Sequence, residues 1–235
     1  MDLSSIPLVI LAGGKGTRIT EYSKTIPKPM IKIGNKPIIR HIIDYYKNYG
    51  VNKFFIASGY KDKIIREYFK NNQNIKVINT GLNTLTGGRL LRLKNNLPEN
   101  FFLTYGDGLS DIDILKLYKF HLSKKKISTV TAVHPIARFG EIRINQNIAV
   151  SFNEKPRVKN DWINGGFFVF NKKILKYIKD DFSILEQEPI RKIVKIRELA
   201  VLKHEGFWQC MDTAREKIIL EDLYKSKNCP WKKNK

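Results

Sequence analysis

The chain has 235 residues, 42% hydrophobic and 28% charged, the balance of a soluble globular protein with one sizeable core, and this excludes a disordered chain. No apolar run reaches the roughly 18 residues of a membrane span, and the first apolar stretch, 6–12, is short with acidic Asp2 before it, so no signal peptide is read there either. A formal charge of +21 draws polyanions without choosing among triphosphates, nucleic acid and anionic lipid, and its spread along the chain reads mainly as a solvated lysine surface.

Residues 7–12 are continuously apolar and run into glycines, the pattern of a parallel strand buried on both faces. A helix is predicted over 37–49, with Pro37 in its first turn and Gly50 as its stop, and a second strand over 53–58 completes a βαβ unit. The alternation continues with a helix over 62–69, a strand over 75–78, a short helix over 88–95 and a strand over 101–105 that ends at Gly106-Asp107-Gly108. Asp111 reads as the N-cap of a helix reaching Leu122. From residue 128 the rhythm changes, and short strands over 128–134, 141–144, 148–152 and 166–170 suggest an antiparallel elaboration. Helices follow near 172–179, 188–196 and 215–225, and the tail, 230–235, is expected to fray. The pattern as a whole predicts a single α/β domain, Rossmann-like, with a mixed sheet.

The segment Gly13-Gly14-Lys15-Gly16-Thr17-Arg18 lies where the first buried strand ends, the edge at which open α/β sheets bind ligands. Its glycines allow backbone N–H groups to close around a phosphate, and Arg18 adds a planar fork suited to phosphate oxygens. It matches neither the Walker loop nor the dinucleotide fingerprint, so a nucleotide loop here is of a third class, and a plain glycine-rich turn is the alternative. Ten residues on, Pro27-Lys28-Pro29 holds a lysine on a stiff segment, as preorganised charge requires. Asp107 is exposed by flanking glycines at a strand end, and a Gly-Asp-Gly turn is the plainer alternative; Asp212 could equally cap a helix beginning at Ala214. Cys210 and Cys229 have no partners at metal-ligand spacing and suggest a reducing compartment, the cytosol. His41, His121, His134 and His204 fall in no catalytic motif and are assigned structural duty.

Leu11-Ala12-Gly13-Gly14-Lys15-Gly16-Thr17-Arg18 followed by Pro27-Lys28-Pro29-Met30 resembles the signature of the sugar nucleotidyltransferase, or nucleotide-sugar pyrophosphorylase, family. Further motifs follow in family order: Thr84-Leu85-Thr86-Gly87-Gly88-Arg89, Thr104-Tyr105-Gly106-Asp107-Gly108, Arg138-Phe139-Gly140, Glu154-Lys155-Pro156, Ile163-Asn164-Gly165-Gly166 and Phe207-Trp208-Gln209-Cys210-Met211-Asp212-Thr213. They point to the branch that joins CTP to glucose 1-phosphate. The resemblance implies a three-layer fold with a central mixed, mostly parallel sheet and a small antiparallel elaboration. It further implies one domain over 1–235, with a nucleotide-binding half to about 127, a sugar-phosphate half over 128–213 and a C-terminal helix and tail.

In that family the reaction is in-line attack by a sugar 1-phosphate on the α-phosphorus of a nucleoside triphosphate, with Mg²⁺ as cofactor. The implied catalytic residues are Arg18, Lys28 and Asp107, with Asp107 and Asp212 holding the metal. Nucleotide binding is implied for Leu11, Ala12, Gly13, Gly14, Lys15, Gly16, Thr17, Thr84, Gly88, Arg89 and Gly106, and sugar-phosphate binding for Tyr105, Glu154, Lys155, Asn164 and Gly165. Arg89, a donor-only group, suits cytosine, whose O2 and N3 both accept, better than uracil, whose N3 carries a hydrogen; starting a helix or binding phosphate is its alternative. Enzymes of that CTP-using branch have a longer segment where this chain has only 62–79, which leaves the acceptor open among glucose 1-phosphate, a heptose or polyol phosphate and other phosphorylated metabolites. A homo-oligomer acting on small molecules is implied, with neither nucleic acid nor membrane as partner. Two rival classes are a nucleic-acid binder, argued from charge alone, and a non-catalytic relative, which would be free to lose Arg18, Lys28, Asp107 or Asp212.

Overall fold

The computed structural model describes residues 1–135, 139–154 and 161–232. The first half alternates as expected: β1 (Leu8–Ala12), α1 (Thr20–Ser23), the short pair β2 (Lys32–Ile33) and β3 (Lys36–Pro37), α2 (Ile38–Lys47), β4 (Phe54–Ser58), α3 (Asp62–Phe69) and β5 (Ile75–Asn79). It continues through α4 (Thr86–Arg92), β6 (Asn100–Tyr105), β7 (Gly108–Ser110) and α5 (Ile114–Lys124). The second half contains β8 (Ser128–Val133), β9 (Glu141–Asn145), β10 (Ile148–Asn153), β11 (Ile163–Asn171), α6 (Glu188–Lys195), β12 (Leu199–His204), β13 (Trp208–Cys210) and α7 (Ala214–Lys225).

Seven strands form the central sheet in the order β12-β8-β11-β6-β1-β4-β5. Only β11 runs against its neighbours, pairing antiparallel with both β6 and β8, while β1, β4, β5 and β6, and likewise β8 and β12, pair in parallel. Side chains of β1 alternate between two cores. Leu8, Ile10 and Ala12 join α2, α5 and α7 on one face, whereas Val9 and Leu11 join α4 and α6 on the other. That is why the strand reads as continuously apolar: helices cover both faces, and the three layers follow. On α2, Ile38, Ile39, Ile42, Ile43 and Tyr46 are all buried, a stripe in which each side chain contributes roughly 1.5–3 kcal/mol of transfer free energy.

Several expectations need correction. The strands expected over 128–134 and 166–170 belong to the central sheet, and of the four strands expected there only β9 and β10 stand apart, as an antiparallel hairpin. Asp113, not Asp111, caps α5 by accepting from the Lys116 N–H at 2.9 Å, because Asp111 is held by the Phe207 N–H at 2.7 Å and by His204. The segment near 172–179 forms a 3-10 helix over Lys172–Tyr177. The edge strand β12 was not anticipated; its apolar run is only the four residues Leu199 to Leu202, too short to tell a strand from the end of a helix, and its side chains are half-buried or exposed. The tail does not fray over Pro230–Lys232, because the Trp231 ring is buried against His41 and Phe207.

Candidate active site

The expected phosphate loop leaves the C-terminal end of β1, and the Pro27-Lys28-Pro29 segment forms a 3-10 turn closed by a Met30 N–H to Pro27 carbonyl bond of 2.8 Å. Lys28 is thereby buried on rigid backbone. Asp107 follows β6 and Asp212 follows β13. Because β7 and β13 pair with Gly108 opposite Cys210, and the Met211 N–H donates to the Asp107 carbonyl at 2.9 Å, the two aspartates emerge side by side although more than a hundred residues separate them.

The Lys28 ammonium donates to both Asp107 Oδ2 and Asp212 Oδ1, and Arg18 Nη1 lies 2.7 Å from Asp212 Oδ2. Burial by itself would lower the Lys28 pKa, but the charges of the two aspartates and the bonds to them outweigh it and raise it. Asp212 is also held from behind. Glu216 accepts from the backbone N–H groups of Asp212 at 2.6 Å and Thr213 at 2.9 Å, while Thr213 accepts from the Glu216 N–H, a capping box that opens α7. Neighbouring Cys210 is a neutral thiol, pushed up to about 12 by burial and then by the charges of Glu216 and Asp212.

Two cavities meet here. The larger, about 590 Å³, is lined by residues 11–19, by Lys28, by the 82–86 loop, and by Arg89, Tyr105, Gly106, Asp107 and Asp212. The smaller, about 280 Å³, is lined by Asn164, Gly165, Gly166, Trp208 and Cys210 among others. Arg18, Tyr105, Asp107 and Asp212 belong to both walls.

Of the residues expected from sequence, Leu11, Ala12, Gly13, Gly14, Lys15, Gly16, Thr17, Thr84, Arg89 and Gly106 line the larger cavity, and Asn164 and Gly165 the smaller. Gly88 does not: a Cβ there would lie 2.2 Å from the Asp181 carbonyl oxygen, so this glycine serves the packing of α4 against residues 181–183. Glu154 ends the β9–β10 hairpin, exposed, and lines neither cavity. Lys155 and Arg138 lie outside the described residues.

Arg89 is buried in α4, and its Nη1 donates to the Ser58 carbonyl (3.1 Å), the Thr80 hydroxyl (2.7 Å) and the Gly81 carbonyl (2.8 Å), while Nη2 donates to the Gly13 carbonyl (3.0 Å). One guanidinium thus ties together the ends of β1, β4 and β5. A Cβ at Gly13 would lie 2.0 Å from Arg89 Nη1, so the first loop glycine is needed for this clamp as well as for any ligand. Among the described residues the Nε–H and one N–H of Nη2 have no protein partner. Sequence reasoning missed Glu186, Ser58, Thr80 and Glu216; only Glu216 carried a readable signal, as the fourth residue of Thr213-x-x-Glu216.

The sequence profile of the family described as nucleotidyl transferase matches residues 8–214. The chain belongs to the nucleotidyl transferase family. It is 40% identical to the glucose-1-phosphate cytidylyltransferases of Salmonella typhimurium and Salmonella typhi, with 95% of this chain and 98% of each relative covered. In fold it is similar to the crystal structure of HddC from Yersinia pseudotuberculosis, with a TM-score of 0.73 at 22% identity over 93% of this chain and 99% of that one. The α/β architecture with its mixed central sheet is therefore a nucleotidyltransferase fold. Among the described residues no helix is long and apolar enough to cross a membrane.

Proposed function

We propose that this enzyme condenses CTP with a sugar 1-phosphate, glucose 1-phosphate by default, to give a CDP-sugar and pyrophosphate. The observation that carries the reading is the junction of a nucleotide-sized cavity and a smaller one at Arg18, Asp107 and Asp212, where an acceptor phosphate would meet an α-phosphorus. The 40% identity to glucose-1-phosphate cytidylyltransferases supports both substrates.

The loop amides of Gly13 to Thr17 and the Arg18 fork would hold the triphosphate, and Lys28 would neutralise charge at the α-phosphate. No histidine lines either cavity, and none is needed, since a sugar phosphate is already ionised and attacks with its own oxygen. Asp107 and Asp212 fit Mg²⁺: both present carboxylate oxygens to one point, now taken by the Lys28 ammonium, and the donors are the hard oxygens this ion requires. When bound, the ion would offset the triphosphate's charge and that developing on the leaving pyrophosphate. Asn164 and Gly165 would face the sugar, and Lys155 would meet its phosphate.

For the base, the Nε–H and second Nη2–H of Arg89 are two donors on a guanidinium already fixed by four acceptors, a match for cytosine O2 and N3. The two free cysteines agree with a cytosolic setting. The test is pyrophosphate release with four triphosphates against a panel of sugar and polyol phosphates in Mg²⁺. CTP with glucose 1-phosphate should turn over fastest; no release with any pair, or a preference for UTP or dTTP, would overturn the reading.

A further inference from the structure

Glu186 lies in the turn before α6, outside every motif read from the sequence. Its carboxylate receives two hydroxyl groups from different walls of the site: Thr86 Oγ1 at 2.7 Å, and the Tyr105 hydroxyl. A carboxylate only accepts, so both hydroxyls must donate to it and turn lone pairs to their other neighbours. The lone pair of Thr86 meets the Leu185 N–H at 2.9 Å. That of Tyr105 meets the Asn164 amide nitrogen at 3.4 Å, and Asn164 is itself oriented by the Gly166 N–H, which donates to its Oδ1 at 2.8 Å.

Tyr105 lines both cavities, yet its one proton is committed away from them. What it offers a ligand is an acceptor with a carboxylate behind it. Arg18, on the shared wall, offers donors and positive charge. The lining of the smaller cavity therefore combines an acceptor at Tyr105, suited to sugar hydroxyls, with the donors that Arg18 has left beyond its pair with Asp212, suited to phosphate.

We propose that Glu186 is a positioning residue that, by fixing Tyr105 as an acceptor, orients the sugar 1-phosphate with its hydroxyls toward Tyr105 and Asn164 and its phosphate toward Arg18. This rests on the sugar 1-phosphate reading above. Glu186→Gln keeps the size of the side chain but exchanges one accepting oxygen for a donor, so the Tyr105 hydroxyl loses its enforced direction.

The experiment is steady-state kinetics of wild type, Glu186→Gln, Tyr105→Phe and the double variant, with CTP and the sugar 1-phosphate varied separately and thermal midpoints recorded. Glu186→Gln should raise the acceptor KM about fivefold or more while kcat stays within about threefold. In the Tyr105→Phe background the same substitution should change the acceptor KM less than about twofold, because the two residues act through one bond. Glu186→Asp, which keeps the acceptor, should recover part of the loss. An unchanged acceptor KM, a full effect in the Tyr105→Phe background, or a fall in kcat with both KM values unchanged would overturn the proposal. Should Glu186→Gln not fold, Tyr105→Phe must by itself raise the acceptor KM, and a normal value would sink the idea. Absence of turnover in wild type would remove the activity reading, whereas normal wild-type turnover with an indifferent Glu186→Gln removes this inference alone.

Discussion

Lys28 reaches two carboxylates at once, and the geometry around it makes single substitutions informative. Asp107→Asn removes one of two charges that converge there, and turnover should fall on the order of 10²-fold or more if the pair holds the divalent ion. Stopped assays of this variant, with wild type in excess chelator as control, check it; near-normal rates in either would count against the metal assignment. Arg89 carries two burdens. Arg89→Ala leaves the Gly81 carbonyl without its donor, while the Gly13 and Ser58 carbonyls keep the Tyr60 and Thr80 N–H groups, and should cost roughly 1–3 kcal/mol in urea unfolding. If its two remaining donors also read the base, the CTP to UTP ratio of kcat/KM should drop about tenfold. Equal loss for every triphosphate would leave the clamp and dismiss the base contact.

Elements carry their own tests. Helix α5 packs on β8 through His121, whose Nδ1 lies 2.9 Å from the Thr129 hydroxyl, and burial pushes its pKa down from 6.5 to about 4. The folded state holds this ring neutral while the unfolded chain takes up a proton near pH 6.5, so its contribution is intact above that pH and is lost as pH falls toward 4. On the order of 3 kcal/mol is at stake. Urea unfolding of wild type and His121→Asn between pH 7 and 4.5 should show a flatter acid limb for the variant; a residual slope is expected from His41, which burial also holds below its usual range. At the C-terminus the Trp231 ring closes over His41 and Phe207. Trp231→Ala should destabilise by about 3–5 kcal/mol, and a change below about 1 kcal/mol would mean that this segment is not docked in solution.

Across the whole molecule, a net charge of +21 surrounds a cleft that already holds Lys15, Arg18 and Lys28, so a triphosphate is drawn in before any specific contact is made. Raising ionic strength shortens the range of that field to about 8 Å at physiological salt and about 3 Å at 1 M. The KM for CTP should therefore rise severalfold with added salt while kcat changes less than about twofold. A KM indifferent to salt would mean that the charge is a solvated surface with no part in capture.

Much of this protein was legible in its sequence because local patterns dictate local structure. The apolar run at 8–12, the glycines after it and the prolines around Lys28 mark a buried strand, a loop that lines the larger cavity and a rigid turn, and α3 forms over the residues its periodicity predicted. Signals of that kind need only near neighbours. What the sequence could not decide depended on pairing between distant segments. Strand β8 joins the main sheet because β11 and β12 flank it, and the four apolar residues of β12 are too few to mark it as a strand. Gly88 matches a nucleotide motif but packs on residue 181. Arg89 reads as a donor for a base or a phosphate until three strand ends converge on it, and Glu186, in no motif at all, is singled out only when the fold brings Thr86 and Tyr105 to its carboxylate. Residue types and spacing determined the family and its chemistry by themselves; the partner of each buried polar group was decided only by tertiary structure, since a hydrogen bond is fixed by position in space and not by order along the chain.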